Sequence, residues 1–333
     1  MKNRGESGQS FIFRLQFLVS RAGIFCKCRE IALKLTTKND DLPVMAKSID
    51  IDGYSIIRRL GTGARTTIYL ATEESTKQTV AIKRAILESP EDTRIFEQIE
   101  TEFKVARQID NPYIRKCHEL FRFRKLLKTN ELILVMEYFD GQSLEDMQRL
   151  SMGDVLLVFR MVALALNAMH ERGFVHCDIK PNNILFNHKT GVKIIDLGQS
   201  CKIGEIKKRI QGTPDYIAPE QVRREHLSHR TDTFNLGATM YWALTGKNVP
   251  TLIPKKNEFG VMVSEVQSFR SPNEMYRKIP KPLSDLVMEC VKEKPAERPS
   301  NMLEITSRLD EMIREIFGPR TGTNASTKHT TLS

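Results

Sequence analysis

The sequence predicts an α+β protein of two lobes, a small β-rich one followed by a larger, mostly helical one. Two textures of the chain carry that prediction. Between Tyr54 and Tyr138, short apolar runs alternate at period two, and after FDGQ (139–142) the pattern turns helical. In order, YSIIRRL (54–60), TIYLAT (67–72) and TVAIKRA (79–85) read as strands. A helical pattern follows from about Asp92 to Ile109, with Ile95, Ile99, Phe103 and Ala106 on one face. CHELFRF (117–123) and ELILVMEY (131–138) read as further strands around a basic turn, RKLLKTN. Beyond the linker, residues 154–172 are nearly all apolar on the core side, which suits a central buried helix. Another helix is predicted from about Thr231 to Leu244, and three later helical patterns end at Ile316. The first lobe is thus expected over 49–138 and the second over 139–317. A basic extension, 1–48, precedes them, and a tail without apolar content, 318–333, is expected to be disordered.

A length of 333 residues exceeds one typical domain, and 40% hydrophobic with 28% charged residues fits a soluble globular protein. The formal net charge of +10 raises nucleic acid as a partner, but its distribution argues otherwise. Residues 1–48 hold nine Lys/Arg against four Asp/Glu, and 319–333 hold two basic residues and no acidic one. About +3 remains for the body, so no nucleic-acid partner is expected. The six cysteines show neither CxxC pairs nor framework spacing, and a reducing, cytoplasmic setting is expected. No apolar run approaches the ~20 residues of a membrane span. FIFRLQFLVSRAGIF (11–25) is interrupted by Arg14 and Arg21, so no transmembrane segment is expected. Phe11, Leu15, Leu18 and Ala22 share a helical face there, leaving three readings open. The segment touches a membrane surface, packs on the body, or is never made because translation begins at Met45.

The most informative stretch is HCDIKPNNILF (176–186), followed closely by IIDLG (194–198). Together they supply the minimum set for moving a phosphoryl group. Asp178 is the candidate base for an attacking hydroxyl and Lys180 the cation for the transferring oxygens. Asn183 and Asp196 are hard oxygen ligands for Mg2+. Taken singly, an Asp or Asn in such a loop would merely cap a turn. Upstream, LGTGARTTIYLA puts Gly61 and Gly63 where backbone amides can approach phosphates, which a Cβ would hinder. Alone, that string is equally an ordinary hairpin with glycine turns. VAIK (80–83) adds Lys83 on the next strand, and GTPDYIAPE (212–220) follows the two loops.

In the order and spacing of these motifs the chain resembles the eukaryotic-like serine/threonine protein kinase superfamily, from about Tyr54 to Phe317, as a soluble, bacterial-type member. The resemblance implies a bilobal protein-kinase fold that uses ATP and Mg2+ and transfers the γ-phosphate to Ser/Thr hydroxyls of protein substrates. It implies that Lys83 meets the α- and β-phosphates and pairs with a glutamate on the following helix. Glu102, ten residues before Pro112, fits the family's spacing, with Glu97 and Glu100 as alternatives. In the hinge VMEYFDG, adenine is expected at the carbonyl of Glu137 and the amide of Phe139, with Met136 behind it. Ile68, Ala81 and Leu185 would sandwich the ring. Thr213 is expected to touch Asp178 and Lys180, as in the Ser/Thr branch. Glu220 should pair with Arg298 of PAERPS, and Asp232 of TDTFNLG should hold the catalytic-loop backbone.

Several positions depart from the family's pattern. Thr66 stands at the third glycine, Leu197 at the usual phenylalanine, and Cys177 at the arginine that meets a phosphate on the activation segment. Between Gly198 and Gly212 the only hydroxyl is Ser200, and the loop is basic through Lys202, Lys207, Lys208 and Arg209. Activity is therefore expected not to require phosphorylation of that segment. The unmodified loop would hold the active geometry, with Lys207 or Arg209 meeting a carboxylate on the N-lobe helix. Asn182 and Ser143 replace the acidic residues of arginine-directed relatives, arguing against strictly basic substrates. Cys177 and Cys201 are either redox sensors or packing residues. The competing functions are a pseudokinase scaffold, which would usually lack one of Lys83, Asp178, Asn183 or Asp196, and a small-molecule kinase, which would lack GTPDYIAPE and Arg298.

Overall fold

Strands β1 (Tyr54–Thr62), β2 (Thr66–Glu73), β3 (Thr79–Ile86), β4 (Cys117–Lys125) and β5 (Lys128–Glu137) form one antiparallel sheet in the order β1-β2-β3-β5-β4. The computed structural model describes residues 51–63, 65–89, 93–125, 128–147, 150–253, 255–256, 262–263 and 269–318. The expectations for the basic extension, for segment 11–25 and for the tail beyond Gly318 lie outside those residues. The basic turn between β4 and β5 is shorter than expected, because the ladder runs on through Arg124↔Thr129 to Lys125↔Lys128.

Helix α1 (Thr93–Ala106) covers one face of this sheet. Successive residues of a strand point to opposite faces, so Ala81, Lys83 and Ala85 of β3 share one face. Ala81 and Ala85 are buried with Leu132, Leu134 and Met136 of β5 and Ile99 and Ala106 of α1. The buried stripe of α1 is Ile99, Glu102, Val105 and Ala106, which places one carboxylate in an apolar row. The helix stops at Ala106 and not at Ile109. Its last turn tightens into Gln108 N to Val105 O and Ile109 N to Ala106 O bonds ahead of Asn111-Pro112.

The second lobe is built on α2 (Met152–Glu171), capped by Ser151, whose side chain accepts from the Asp154 amide. By length and composition α2 resembles a membrane span, but Val155, Leu156, Val158, Phe159, Val162 and Leu166 are buried in the lobe core. Around it lie α3 (Pro219–Arg223), α4 (His229–Thr245), α5 (Pro272–Met275), α6 (Lys281–Cys290) and α7 (Met302–Phe317). A Cβ on Gly237 of α4 would come within 3.0 Å of Val291, so only glycine permits the approach of the α6 C-terminus there. Small strands complete the lobe: β6 (Gln142–Ser143), β8 (Ile184–Asn187) and β9 (Gly191–Ile194) form one sheet. β7 (Phe174–Val175) pairs with β10 (Cys201–Lys202), and β11 (Lys255–Lys256) pairs with β12 (Met262–Val263). The segment after α1 is stitched to β9 by Ile194 N to Tyr113 O (2.7 Å) and Arg115 N to Ile194 O (3.0 Å).

One buried ion pair fastens the far side of this lobe. Arg298 donates to Glu220 through both guanidinium nitrogens (2.7 and 2.9 Å) and also to the carbonyls of Lys292, Glu293 and Arg230. Such forked pairing satisfies a guanidinium that would otherwise be prohibitively costly to bury. Glu220→Ala should lower stability by about 3–5 kcal/mol, because it leaves Arg298 charged and unpaired in the interior. Chemical denaturation of the variant beside wild type measures this. A loss below about 1 kcal/mol would mean the site opens to water and the pair is not structural.

Candidate active site

Between β7 and β8 the chain must turn through several non-regular residues, and Asp232 of α4 supplies the acceptors that hold it there. Its fully buried carboxylate takes the amides of His176 and Cys177, both at 2.8 Å, and meets His170 Nε2 at 2.8 Å. Cys177 adopts a left-handed φ of 67°, a conformation costing ~1–3 kcal/mol for a residue with a Cβ. The two Asp232 bonds, and Gln221 Nε2 on the Cys177 carbonyl at 2.8 Å, offset that strain.

The held loop presents Asp178 with four donors. Oδ1 accepts from the Thr213 amide (3.0 Å) and hydroxyl (2.8 Å), while Oδ2 faces Lys180 Nζ (3.1 Å) and Asn183 Nδ2 (3.3 Å). Lys180 also donates to the Thr213 hydroxyl at 2.7 Å. Asn183 spends its amide nitrogen on the Asp178 carbonyl and carboxylate, and among the described residues nothing donates to its oxygen.

Asp196 follows β9 in a left-handed conformation, φ 61° and ψ 65°, ahead of a 3-10 turn over Leu197–Gln199. Gly198 in that turn lies close to α1, where a Cβ would sit 3.1 Å from the Gln98 carbonyl oxygen. Lys83 Nζ stands 3.5 Å from Asp196 Oδ1. The Lys83 ammonium, against the effect of burial, holds the Asp196 carboxyl below its ordinary range, and Arg115 adds to this. Burial by itself would depress Lys83, but the Glu102 and Asp196 carboxylates outweigh it and keep the lysine firmly protonated.

Glu102 is the carboxylate that Lys83 meets, at 2.7 Å from Oε2. Of the alternatives, Glu100 pairs with Arg122 on the sheet and Glu97 is exposed. Glu102 has a second cation that the sequence reading missed: Arg115 Nη2 donates to its Oε1 at 3.0 Å. Arg115 sits in YIRKC, where two adjacent cations read as surface, and no local signal marks it. The expected contact from the loop does not form among the described residues. Lys207 meets Glu205 of its own segment, and Arg209 faces the Gln211 side chain.

The remaining candidates come from elements of both lobes. Gly61 and Gly63 sit at the β1–β2 hairpin, where Gly63 N donates to Thr66 O at 2.8 Å. A Cβ on Gly61 would meet nothing within 4 Å, so its backbone is open to a visitor; one on Gly63 would fall 2.7 Å from the Thr66 hydroxyl. Thr66 is thus tolerated because Gly63 is bare. Met136 is fully buried, opposite Ala81 on one side and Cys117 on the other. Ile68 on β2 stands opposite Lys83, Ala81 on β3 opposite Met136, and Leu185 on β8 opposite Lys193. Glu137 directs its carboxylate to Lys193 Nζ (2.7 Å) and the Lys116 amide (3.1 Å), and its own amide donates to the Lys116 carbonyl (2.9 Å). Phe139 follows, and a Cβ on Gly141 would press within 2.9 Å of the Phe186 carbonyl.

This donor set fits a nucleotide triphosphate and a hard divalent cation. A carboxylate and a free amide oxygen suit Mg2+, and a half-buried, protonated lysine and an open glycine backbone each suit phosphate oxygens. Cys177 and Cys201 are both buried, with sulfurs 3.6 Å apart. The Cys201 contact and then burial push the Cys177 thiol well above its ordinary range, which favours packing over thiolate chemistry.

A family model described as the protein kinase domain matches residues 54–310. The chain is 26% identical over 302 residues to the serine/threonine-protein kinase PknD of Chlamydia pneumoniae, an alignment covering 79% of this chain and 31% of that protein. With a probable serine/threonine-protein kinase of Clostridium acetobutylicum it shares 27% identity over 268 residues, 78% of this chain and 40% of the relative. With the serine/threonine-protein kinase cds1 of Schizosaccharomyces pombe it shares 30% over 209 residues, 58% of this chain and 44% of the relative. The chain thus spans less than half the length of each of these relatives. With the family model matched over most of its length, the chain belongs to the protein kinase domain family, in the eukaryotic-like serine/threonine superfamily.

Proposed function

We propose that this protein is an active kinase that transfers the γ-phosphate of ATP to serine or threonine hydroxyls of protein substrates. The observation that carries the reading is the Asp178 carboxylate, held by Thr213, Lys180 and Asn183 in one network with its oxygens at 2.8–3.3 Å from their donors. When bound, ATP with Mg2+ supplies the transferable phosphoryl group and the charge that neutralises its oxygens. Asn183 and Asp196 would hold the metal, and Lys83, Gly61 and Gly63 would meet the phosphates. Ile68, Ala81, Leu185 and Met136 would enclose the adenine, with Glu137 and Phe139 at its polar edge. Asp178 would orient the incoming hydroxyl and take its proton as the new oxygen–phosphorus bond forms and the β,γ-bridging oxygen–phosphorus bond breaks, leaving ADP. Lys180 balances charge on the transferring oxygens, and Thr213 keeps both side chains in register.

Loss of any one chemical group would favour a scaffold, yet all four are present, with Lys83 3.5 Å from Asp196 and Asn183 bonded to Asp178. The Glu220–Arg298 pair supports GTPDYIAPE as a platform for a protein chain, not a small molecule. The four described cysteines are free thiols, which supports a cytoplasmic setting.

Asp178→Asn should keep nucleotide binding and lose about 10²–10⁴-fold in phosphoryl transfer, since only the base is removed. Single-turnover transfer to a generic protein substrate, beside binding of a fluorescent ATP analogue, measures both. Transfer at the wild-type rate would overturn the assignment of Asp178. The activation segment should work unmodified, because Cys177 offers a phosphate nothing to bind. Phosphatase treatment followed at once by a single-turnover assay should leave the rate unchanged, whereas a large fall traced by mass spectrometry to Ser200 or Thr213 would refute it.

A further inference from the structure

We infer that Arg115 is a positioning residue that locks helix α1 in its working place, so that Glu102 keeps Lys83 aimed at the nucleotide without help from the activation segment. The inference rests on the kinase reading above and adds to it the device that holds the cleft assembled.

The first ground is geometric. Glu102 is 0% exposed and Arg115 6% exposed, and the two oxygens of Glu102 are divided between two cations, Oε2 to Lys83 and Oε1 to Arg115. Arg115 therefore does not compete with Lys83 for the carboxylate. It takes the oxygen that Lys83 leaves.

The second is anchorage. The amide of Arg115 donates to the Ile194 carbonyl at 3.0 Å, and Ile194 N donates to the Tyr113 carbonyl at 2.7 Å. Ile194 ends the strand that delivers Asp196. The guanidinium thus hangs from a backbone fixed to the metal-side strand, and it grips the helix that carries Glu102. If α1 swung outward, Arg115 would be left charged and buried with no carboxylate, a state strongly penalised in a protein interior.

The third is charge balance. Lys83 and Arg115 face Glu102 and Asp196, two cations against two anions. Without Arg115, Lys83 alone would answer both carboxylates. With it, Glu102 is neutralised from the far side, and the lysine is freer for an incoming phosphate.

The fourth is that stability alone is a poor reason for this arginine. Its Nε is buried without a partner, so the guanidinium is only partly satisfied by its bond to Glu102 and its burial is costly. Among the described residues no cation of segment 201–212 reaches α1, since Lys207 turns to Glu205 and Arg209 to Gln211. The lock is needed where it is found.

The test uses the full chain and the variants Arg115→Met, Arg115→Gln and Arg115→Lys, each checked for cooperative melting. The readouts are kcat and the KM for ATP on a generic protein substrate, and amide hydrogen exchange in 93–106 compared with 152–171. Arg115→Met should melt cooperatively, lose about 5–150-fold in kcat/KM, and exchange faster in α1 but not in α2. Arg115→Lys should recover part of both, and Arg115→Gln should resemble Arg115→Met. Unchanged kinetics and unchanged α1 exchange in the folded Met or Gln variant would overturn the inference. So would a loss that only tracks the unfolded fraction and is the same for Lys as for Met. If the wild-type chain transfers no phosphate at all, the kinase reading falls, and exchange in α1 alone then decides for or against the lock.

Discussion

A carboxylate in an apolar row is unstable unless cations come to it, and Glu102 is such a carboxylate. It lies in the buried stripe of α1 between Ile99 and Val105. Much of the upper cleft follows from satisfying it. The pleat of β3 turns Lys83 onto the helix side, and the turn after α1 brings Arg115 underneath. Once both cations are in place, the helix can neither rotate nor withdraw without exposing a buried charge. Gly198 lets the segment after Asp196 press against Gln98 of the same helix. The strand, the helix and the turn after Asp196 are thereby brought to one point, although they are far apart in sequence.

The lower half of the cleft obeys the same rule with a different anchor. Asp232 is fully buried on α4, and it is satisfied by two loop amides and one histidine. Those bonds fix a turn containing a left-handed cysteine, which no local preference would select. Asp178 then emerges in a single orientation, further held by Thr213 from the activation segment. A reactive carboxylate is thus positioned by a buried, unreactive one. Asp232 is spent on two loop amides and a histidine, whereas Asp178 accepts from Thr213, Lys180 and Asn183.

The sheet, α1, the central helix and the later helices were legible because their periods are strong and their turns carry Gly, Pro or Asn. Glu102 was chosen over Glu97 and Glu100 by its distance from Pro112, and it is the glutamate that turns inward to Lys83. Arg115 was not legible. Its partner is 13 residues away on another element, and nothing in YIRKC says that this arginine is buried while Lys116 beside it is not. Lys193 was hidden in the same way, since it alternates in a strand and its partner Glu137 lies 56 residues earlier. The contact expected from Lys207 or Arg209 failed for a local reason: Glu205 and Gln211 are nearer to them than any helix carboxylate. Short-range pattern reports faces and turns; it does not report which distant charge fills a buried vacancy.

Cys177 and Arg115 make one physical point together. An arginine at position 177 would have been next to Asp178, with its charge directed to the activation segment. The cysteine instead packs with Val175, Cys201 and Leu227 in a small apolar cluster that ties the loop to the start of that segment. The lower cleft is thus closed by apolar packing and by Asp232, neither of which a phosphate would strengthen. The cation that organises the upper cleft comes from the turn beyond α1, bound through its backbone to β9. Control by the activation segment would require the charge on that segment to be coupled to the charge on the helix. Here Lys207 turns to Glu205 and Arg209 to Gln211 of their own segment, while Glu102 is paired with Lys83 and Arg115. Movement of α1, or of the turn that carries Arg115, would disturb the Lys83–Glu102 contact directly.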